Sequence, residues 1–224
     1  AGLPVQYPAL WMPAAGFISP QQLCRDLLQH PSIDVHLNTE IAQLGYGNQH
    51  WYSCTKDGEV VATADIVVLC NGNNARDFAQ SAHLPLKPVR GQVTMIAASA
   101  LSNSLRCVIC HDGYLPPAQH GHHCIGATFD PKSSETQISI RDHADNLARL
   151  MRHVPALADC VSTTQANPID GRAALRCATP DYLPIVGPVA DVAIMRQRFA
   201  ALAGNARMHI VDTGAYVPGL YVNA

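Results

Sequence analysis

The stretch "ADIVVLCNGNN", residues 64–74, decides how the rest of the chain is read. Ile66, Val67, Val68 and Leu69 form an unbroken apolar run, and the run ends in an Asn-Gly-Asn-Asn turn. A half-exposed antiparallel strand alternates apolar and polar residues, whereas a strand buried in a parallel sheet reads as a continuous apolar block. A parallel strand entering a glycine turn implies an α/β arrangement.

Upstream of this strand, "EIAQLGYGNQHWYSCTKDGEVVATADIVVLC" reads as a β-meander. Lys56-Asp57-Gly58 is its hairpin signal. Before it, "SPQQLCRDLLQHP" carries a helix start and stop. Ser19 caps, Pro20 takes the first helical position, Gln22 completes a capping box and Pro31 ends the helix. Leu23, Leu27 and Leu28 give that helix an apolar stripe, and "IDVHL" follows as a short strand.

Downstream, beyond "LPLKPVRGQ", strands follow one another without helices between them: "VTMIAAS", "RCVICHDGYLPP" and "HHCIGATF". This predicts an antiparallel sheet. One amphipathic helix interrupts it in "SIRDHADNLARLMRHV", with Leu147, Leu150, Met151 and Val154 on one side. A last helix is expected in "DVAIMRQRFAALAG", its face formed by Val192, Met195, Phe199 and Leu202, with Gly204 near its end. "MHIVDT" and "GLYVNA" read as strands. The fold class is α/β of the α+β kind, mixed at both ends and antiparallel in the middle.

Composition narrows the functional classes. A formal net charge of −2 on 224 residues offers no basic stripe of the kind a self-sufficient nucleic-acid binder needs. No apolar run is long enough to span a membrane and no signal peptide opens the chain, so a cytoplasmic protein with no membrane partner is expected. The eight cysteines then read as reduced thiols, with Cys24, Cys70 and Cys160 as small apolar fillers. The chain begins at Ala1 and stops at a strand-like "PGLYVNA", which suggests a piece of a longer polypeptide.

Two motifs suggest metal chemistry. "CVICH", Cys107 to His111, has the letters of a covalent haem attachment site but sits in an apolar strand without an export signal. Cys107, Cys110, His111, His120, His122, His123 and Cys124 form a cluster of zinc-ligand residue types, yet neighbours in "HGHHC" point to opposite sides of a strand. Histidines at a strand end or hairpin are preferred, so no metal ligand is assigned. A non-catalytic zinc or interaction module stays as an alternative. No G-x-G-x-x-G loop, P-loop or nucleophile elbow occurs.

The blocks "ALWMPAAGFISPQQLCRDLL", "ADIVVLCNGNNARDF", "LPLKPVRGQV", "GYLPPAQHGHHCIGATFD" and "GRAALRCATPDYLPIVG" occur in the order found in FAD-dependent oxidases of the D-amino-acid oxidase and glycine oxidase class, which nearly the whole chain resembles. More narrowly, "CIGATF" with "RCATPDYLPIVGPV" is similar to the C-terminal oxidoreductase half of bifunctional enzymes that make 5-methylaminomethyl-2-thiouridine in tRNA. The resemblance implies an antiparallel-sheet substrate domain, 1–17 and 86–177, interleaved with part of a Rossmann-like FAD-binding domain, 18–85 and 178–224. The family's G-x-G-x-x-G strand and a later glycine-rich segment are absent here.

By the same resemblance, Arg176 in "ALR" clamps a substrate carboxylate, for which a guanidinium fork is suited. The alternative is a surface or domain-interface arginine. Tyr114 in "HDGYLPP" lines the pocket or simply packs in its strand, and Arg90 in "VRGQ" is a pocket candidate. Ile41, Asn71, Gly72 and Gly187 are the candidate FAD contacts, while Asp181 holds a turn. The implied reaction removes hydride from the carbon beside an amine and a carboxylate, and water hydrolyses the resulting imine. On a carboxymethylaminomethyl wobble uridine this releases glyoxylate and leaves 5-aminomethyl-2-thiouridine. A methyltransferase domain in the same polypeptide would then use S-adenosylmethionine. A glycine or D-amino-acid oxidase acting on a free small amine is the alternative.

Overall fold

The strand that decides the fold, β4 (Val67–Leu69), pairs in parallel with β11 (Tyr216–Asn223), matching Leu220 to Val67, Tyr221 to Val68 and Val222 to Leu69. The computed structural model describes residues 1–165, 170–211 and 213–224. On its other edge β11 pairs antiparallel with β10 (Val186–Ala190), giving the order β10-β11-β4. The parallel partner is as the apolar run predicts, but only one face of β4 is covered. Leu69 is buried, whereas Ile66 and Val68 are more than half exposed.

Two compact units make up the chain, residues 1–35 with 89–175 and residues 36–88 with 176–224. In the second, the meander is β1 (Gln43–Gly47), β2 (His50–Cys54) and β3 (Val60–Ala64), all antiparallel. Its first turn places Asn48 and Gln49 at positive φ, the geometry a two-residue hairpin requires. The second turn contains Gly58 at φ +84°. Trp51 of β2 is fully buried against Leu69, Leu86, Val189 and Leu220, and its indole N–H donates to the Pro218 carbonyl at 3.0 Å. A buried indole with a satisfied N–H ties the meander to the strand beside β4.

The first unit holds the five-stranded sheet expected in the middle of the chain. Its strands are β5 (Lys87–Ala97), β6 (Ile109–Cys110), β7 (Tyr114–Leu115), β8 (His122–Gly126) and β9 (Gly171–Ala178), in the order β6-β7-β8-β5-β9. Of its helices, α2 (Ile140–His153) buries Leu147 and Leu150, with Val154 just beyond its end, against Ile96, Leu115 and Ile125. Met151 completes the expected stripe as a partly buried neighbour.

Helix α1 (Pro20–Leu27) starts as the sequence predicts, with Ser19 Oγ accepting from the Gln22 amide at 3.4 Å. The capping box is not closed, because the Gln22 side chain bonds Asp26 and Arg25 instead. The apolar stripe of Leu23, Leu27 and Leu28 is exposed. Helix α3 (Ala158–Gln165) follows α2, and α4 (Val192–Arg198) is capped by Asp191. The last helix is shorter than expected, since a 3₁₀ turn at Ala200–Ala203 replaces its second half.

"IDVHL" is not a strand; Ile33, Val35 and Leu37 are exposed and no described strand lies beside them to share hydrogen bonds. Over 208–211 "MHIVDT" is irregular too, and Asp212 lies outside the described residues, as does the Cys160 side chain.

Strand β5 turns a polar face inward. Thr94 Oγ1 accepts from Asn146 Nδ2 at 3.1 Å and lies 2.8 Å from His143 Nδ1. Gln92 exchanges bonds with the Ser139 backbone in both directions. Burial holds the His143 imidazole below its ordinary value of 6.5. The unfolded chain therefore takes up a proton at a pH where the folded one does not, so this stability is complete above 6.5 and is lost as pH falls below it.

Two outcomes follow from this packing. Leu150→Ala lowers unfolding free energy by about 2–5 kcal/mol, whereas the exposed Ile140→Ala changes it by less than about 0.5 kcal/mol, measured by denaturant titration. The thermal midpoint falls between about pH 7.5 and pH 5.5, and His143→Gln flattens that slope.

Candidate active site

In the second unit, the end of β4 and the exit of β9 form one patch. The chain leaves β4, passes Asn71 and enters a 3₁₀ turn over Gly72–Asp77. Gly72 sits at φ +58°, a conformation that favours glycine. A Cβ there would meet the Cys177 Cβ at 3.5 Å, an ordinary contact, so the glycine answers a backbone need and not a shortage of space. Asn73 Nδ2 donates to the Arg176 carbonyl at 3.1 Å, fastening this turn to β9. The Asn73 Oδ1 is buried without a hydrogen-bond partner. Arg176 is exposed between half-buried Leu175 and Cys177, and burial pushes the Cys177 thiol up, away from nucleophile chemistry.

Gly187 lies in β10 opposite Val222 of β11, which in turn stands opposite Leu69 of β4. Gly187 has φ +149° and nothing lies within 4 Å of where a Cβ would be. Ile41 is half-buried just ahead of β1 and packs on the Trp51 core. Asp181 shapes the turn between β9 and β10: its Oδ1 accepts from the Leu183 amide at 3.1 Å and lies 3.0 Å from the Thr179 hydroxyl. The Leu183 N–H, and after it the Thr179 hydroxyl, hold the Asp181 carboxyl below its usual range.

Arg90 and Tyr114 belong to the first unit. Arg90 is buried in β5 and its guanidinium is engaged on all sides: Nε donates to the Glu135 carbonyl at 2.7 Å, Nη2 to Gln92 Oε1 and the Gln137 carbonyl, and Nη1 pairs with Asp142. It borders a cavity of about 660 Å³ together with Phe129, Ser133, Ile138, Arg141 and Asp145. These bonds make Arg90 the anchor of the 130–142 segment. Tyr114 is half-buried in β7, its backbone paired with Cys110 and Gly126.

Asn73 is the residue that sequence reasoning passes over. It stands inside "NGNN", but only the fold reveals that its side chain reaches across to residue 176. A buried acceptor left unsatisfied beside a positive-φ glycine fits an edge of a nucleotide, whose hydroxyl or amino group can donate to it. Asn71, Gly72 and Asn73 fit such a group on one side only, since no G-x-G-x-x-G loop for a pyrophosphate occurs in the chain.

Comparison with known proteins places the chain in a family. The sequence pattern of the FAD dependent oxidoreductase family, DAO, matches residues 3–223. The tRNA 5-methylaminomethyl-2-thiouridine biosynthesis bifunctional protein MnmC of Pseudomonas putida is 37% identical over 226 residues, which cover 100% of this chain and 34% of that protein. Its counterpart in Stutzerimonas stutzeri is 38% identical over 228 residues with the same coverage. The chain thus spans about a third of the length of these curated relatives. Among solved structures, glycine oxidase from Bacillus cereus superposes with a TM-score of 0.59 at 20% identity, covering 85% of this chain and 45% of that one, a likeness of fold.

The turn at Asp181 gives a direct test of the local geometry. Asp181→Ala lowers the thermal midpoint, because the Leu183 amide loses its acceptor, while Asp181→Asn keeps an oxygen in place and retains most of it. Equal loss in both variants, by differential scanning fluorimetry, would show that the charge and not the turn matters.

Proposed function

This chain belongs to the FAD-dependent oxidoreductase family, and on that premise we propose that it is the oxidoreductase part of a tRNA-modifying enzyme. The reaction is oxidative removal of the carboxymethyl group from 5-carboxymethylaminomethyl-2-thiouridine at the wobble position, giving 5-aminomethyl-2-thiouridine. The observation that carries this reading is the identity of 37% with a bifunctional tRNA 5-methylaminomethyl-2-thiouridine biosynthesis protein across the whole of this chain. The same match supports a methyltransferase domain using S-adenosylmethionine in the same polypeptide, and work in the cytoplasm. No described helix is long and apolar enough to cross a membrane.

FAD, when bound, supplies the hydride acceptor. The chain's own residues bind and orient. The substrate group is an N-substituted glycine, a carboxylate one carbon from a secondary amine. Arg176 is exposed on a strand whose backbone is fixed by Asn73, so its guanidinium can meet that carboxylate in a two-point contact without reordering the main chain. Asn71, Gly72 and Asn73 on the turn after β4, with Gly187 and Ile41, are the residues assigned to the FAD side. Tyr114 is assigned to the pocket wall. Arg90 acts through the segment it anchors and not on the reacting atoms. The first unit takes the part of the substrate domain and the second that of the partial FAD domain.

The near-neutral charge of this chain means that much of the tRNA backbone must be held by the rest of the polypeptide. The fold likeness to glycine oxidase supports the second reading, a small-molecule amine oxidase. The two separate in one experiment on the full parent flavoprotein: anaerobic addition of tRNA carrying the carboxymethylaminomethyl group, with free glycine in parallel. The expected result is loss of the oxidised flavin band with that tRNA and none with glycine. Bleaching by glycine alone would replace the tRNA reading with the amine-oxidase one.

A further inference from the structure

We infer that His111, Asp112 and His153 form a site for a borderline divalent cation of the zinc type, separate from the residues assigned to substrate and FAD. His111 and Asp112 lie on the turn between β6 and β7, while His153 is the last residue of α2, so the sequence leaves the third ligand more than forty positions away. The fold brings one donor atom from each to within 4.8 Å of the others. His111 Nδ1 is 2.9 Å and His153 Nε2 is 3.0 Å from the same oxygen, Asp112 Oδ1. Adjacent ligands at zinc bond lengths of about 2.0–2.1 Å stand roughly 2.9 Å apart around an octahedral centre and roughly 3.3 Å apart around a tetrahedral one. The two spacings to Asp112 Oδ1 match such a centre, and the stacked rings, 18° from parallel, must turn for their in-plane lone pairs to converge on one ion.

Each ligand is held by its own support. The two imidazoles stack with centroids 4.6 Å apart and planes 18° from parallel, and the Tyr7 ring meets His153 edge-on at 5.4 Å. The His153 carbonyl accepts from the Gln6 amide. Arg149 Nη1 donates to the Ala127 carbonyl at 3.2 Å and reaches the Asp112 carbonyl at 3.5 Å, joining α2 to the turn. Gly113 is required here, because a Cβ would lie 2.7 Å from the Gly126 carbonyl oxygen and 3.0 Å from the His111 ring. His111 is almost wholly buried, whereas Asp112 is 42% exposed and gives an ion both an entry and open positions for water. Two imidazoles and one carboxylate favour zinc, cobalt or nickel over magnesium or calcium.

Two features limit the affinity. Arg152 Nη1 sits 3.2 Å from Asp112 Oδ2, so a cation already shares the carboxylate and leaves only Oδ1 for the ion. The His111 Nε2 is buried without a partner, so this ligand lacks the outer hydrogen bond that tight sites have. The cysteines of the sequence cluster, Cys107, Cys110 and Cys124, are free thiols outside this donor set.

The test is calorimetric titration of untagged, chelator-treated protein with zinc chloride, with cobalt(II) absorption as a second readout. One equivalent of zinc binds, and saturation raises the thermal midpoint. Asp112→Asn and His153→Gln, both partly exposed and conservative in shape, weaken binding by at least about 100-fold. Arg152→Ala tightens it several-fold by removing the competing cation. Absence of binding in zinc excess would overturn the site. So would unchanged binding in Asp112→Asn and His153→Gln, or binding abolished only by Cys107→Ser with Cys110→Ser.

Discussion

The parallel pairing of β4 with β11 is the constraint on which the second unit depends. It joins residues near 68 to residues near 221, and by matching Leu69 to Val222 it aligns the glycine turn after β4 with Gly187 on the neighbouring strand. Parallel strands cannot be joined by a tight turn, so everything between them must be accommodated by the crossover. Here the crossover contains the entire five-stranded sheet and its helices.

From that pairing the candidate site follows with few further requirements. The turn needs a glycine at φ +58°, and it needs one side chain, Asn73, to hold the incoming strand at residue 176. The Asp181 turn then directs the chain into β10. None of these residues carries chemistry alone. Together they fix the backbone on either side of Arg176, and orientation is the contribution a protein makes when a bound cofactor accepts the hydride. The His111, Asp112 and His153 cluster works on the same principle elsewhere in the fold, holding the C-terminus of α2 to a hairpin.

The sequence made much of this legible, for identifiable reasons. The unbroken apolar run at 66–69 announced a parallel strand, and α2 could be read from a stripe that is buried in the structure as predicted. Tertiary contacts hid the remainder. Burial on both faces of β4 was a fair inference from its composition, yet Val68 is exposed because covering is supplied by neighbours, not by the strand. Ile33, Val35 and Leu37 alternate like a strand but lie beside no described partner, which a local pattern cannot report. Arg90 borders a cavity, as a pocket cation would, but its burial in a network with Asp142, Gln92 and the carbonyls of Glu135 and Gln137 became visible only when residues fifty positions apart met. Asn73 and His153 were overlooked for the same reason: each acts on a residue distant in sequence.

The central claim is that Arg176, positioned by Asn73, reads the carboxylate of the wobble substituent. The most direct measurement compares equilibrium binding of two tRNAs to the full parent flavoprotein, one bearing the carboxymethylaminomethyl group and one bearing the aminomethyl product, in the native protein and in Arg176→Ala. A charge-assisted contact of about 1.5–3 kcal/mol predicts that the native protein prefers the carboxylate-bearing tRNA by roughly 10- to 100-fold and that the variant binds both alike. An undiminished preference in Arg176→Ala would contradict the account and assign recognition of the carboxylate to another residue.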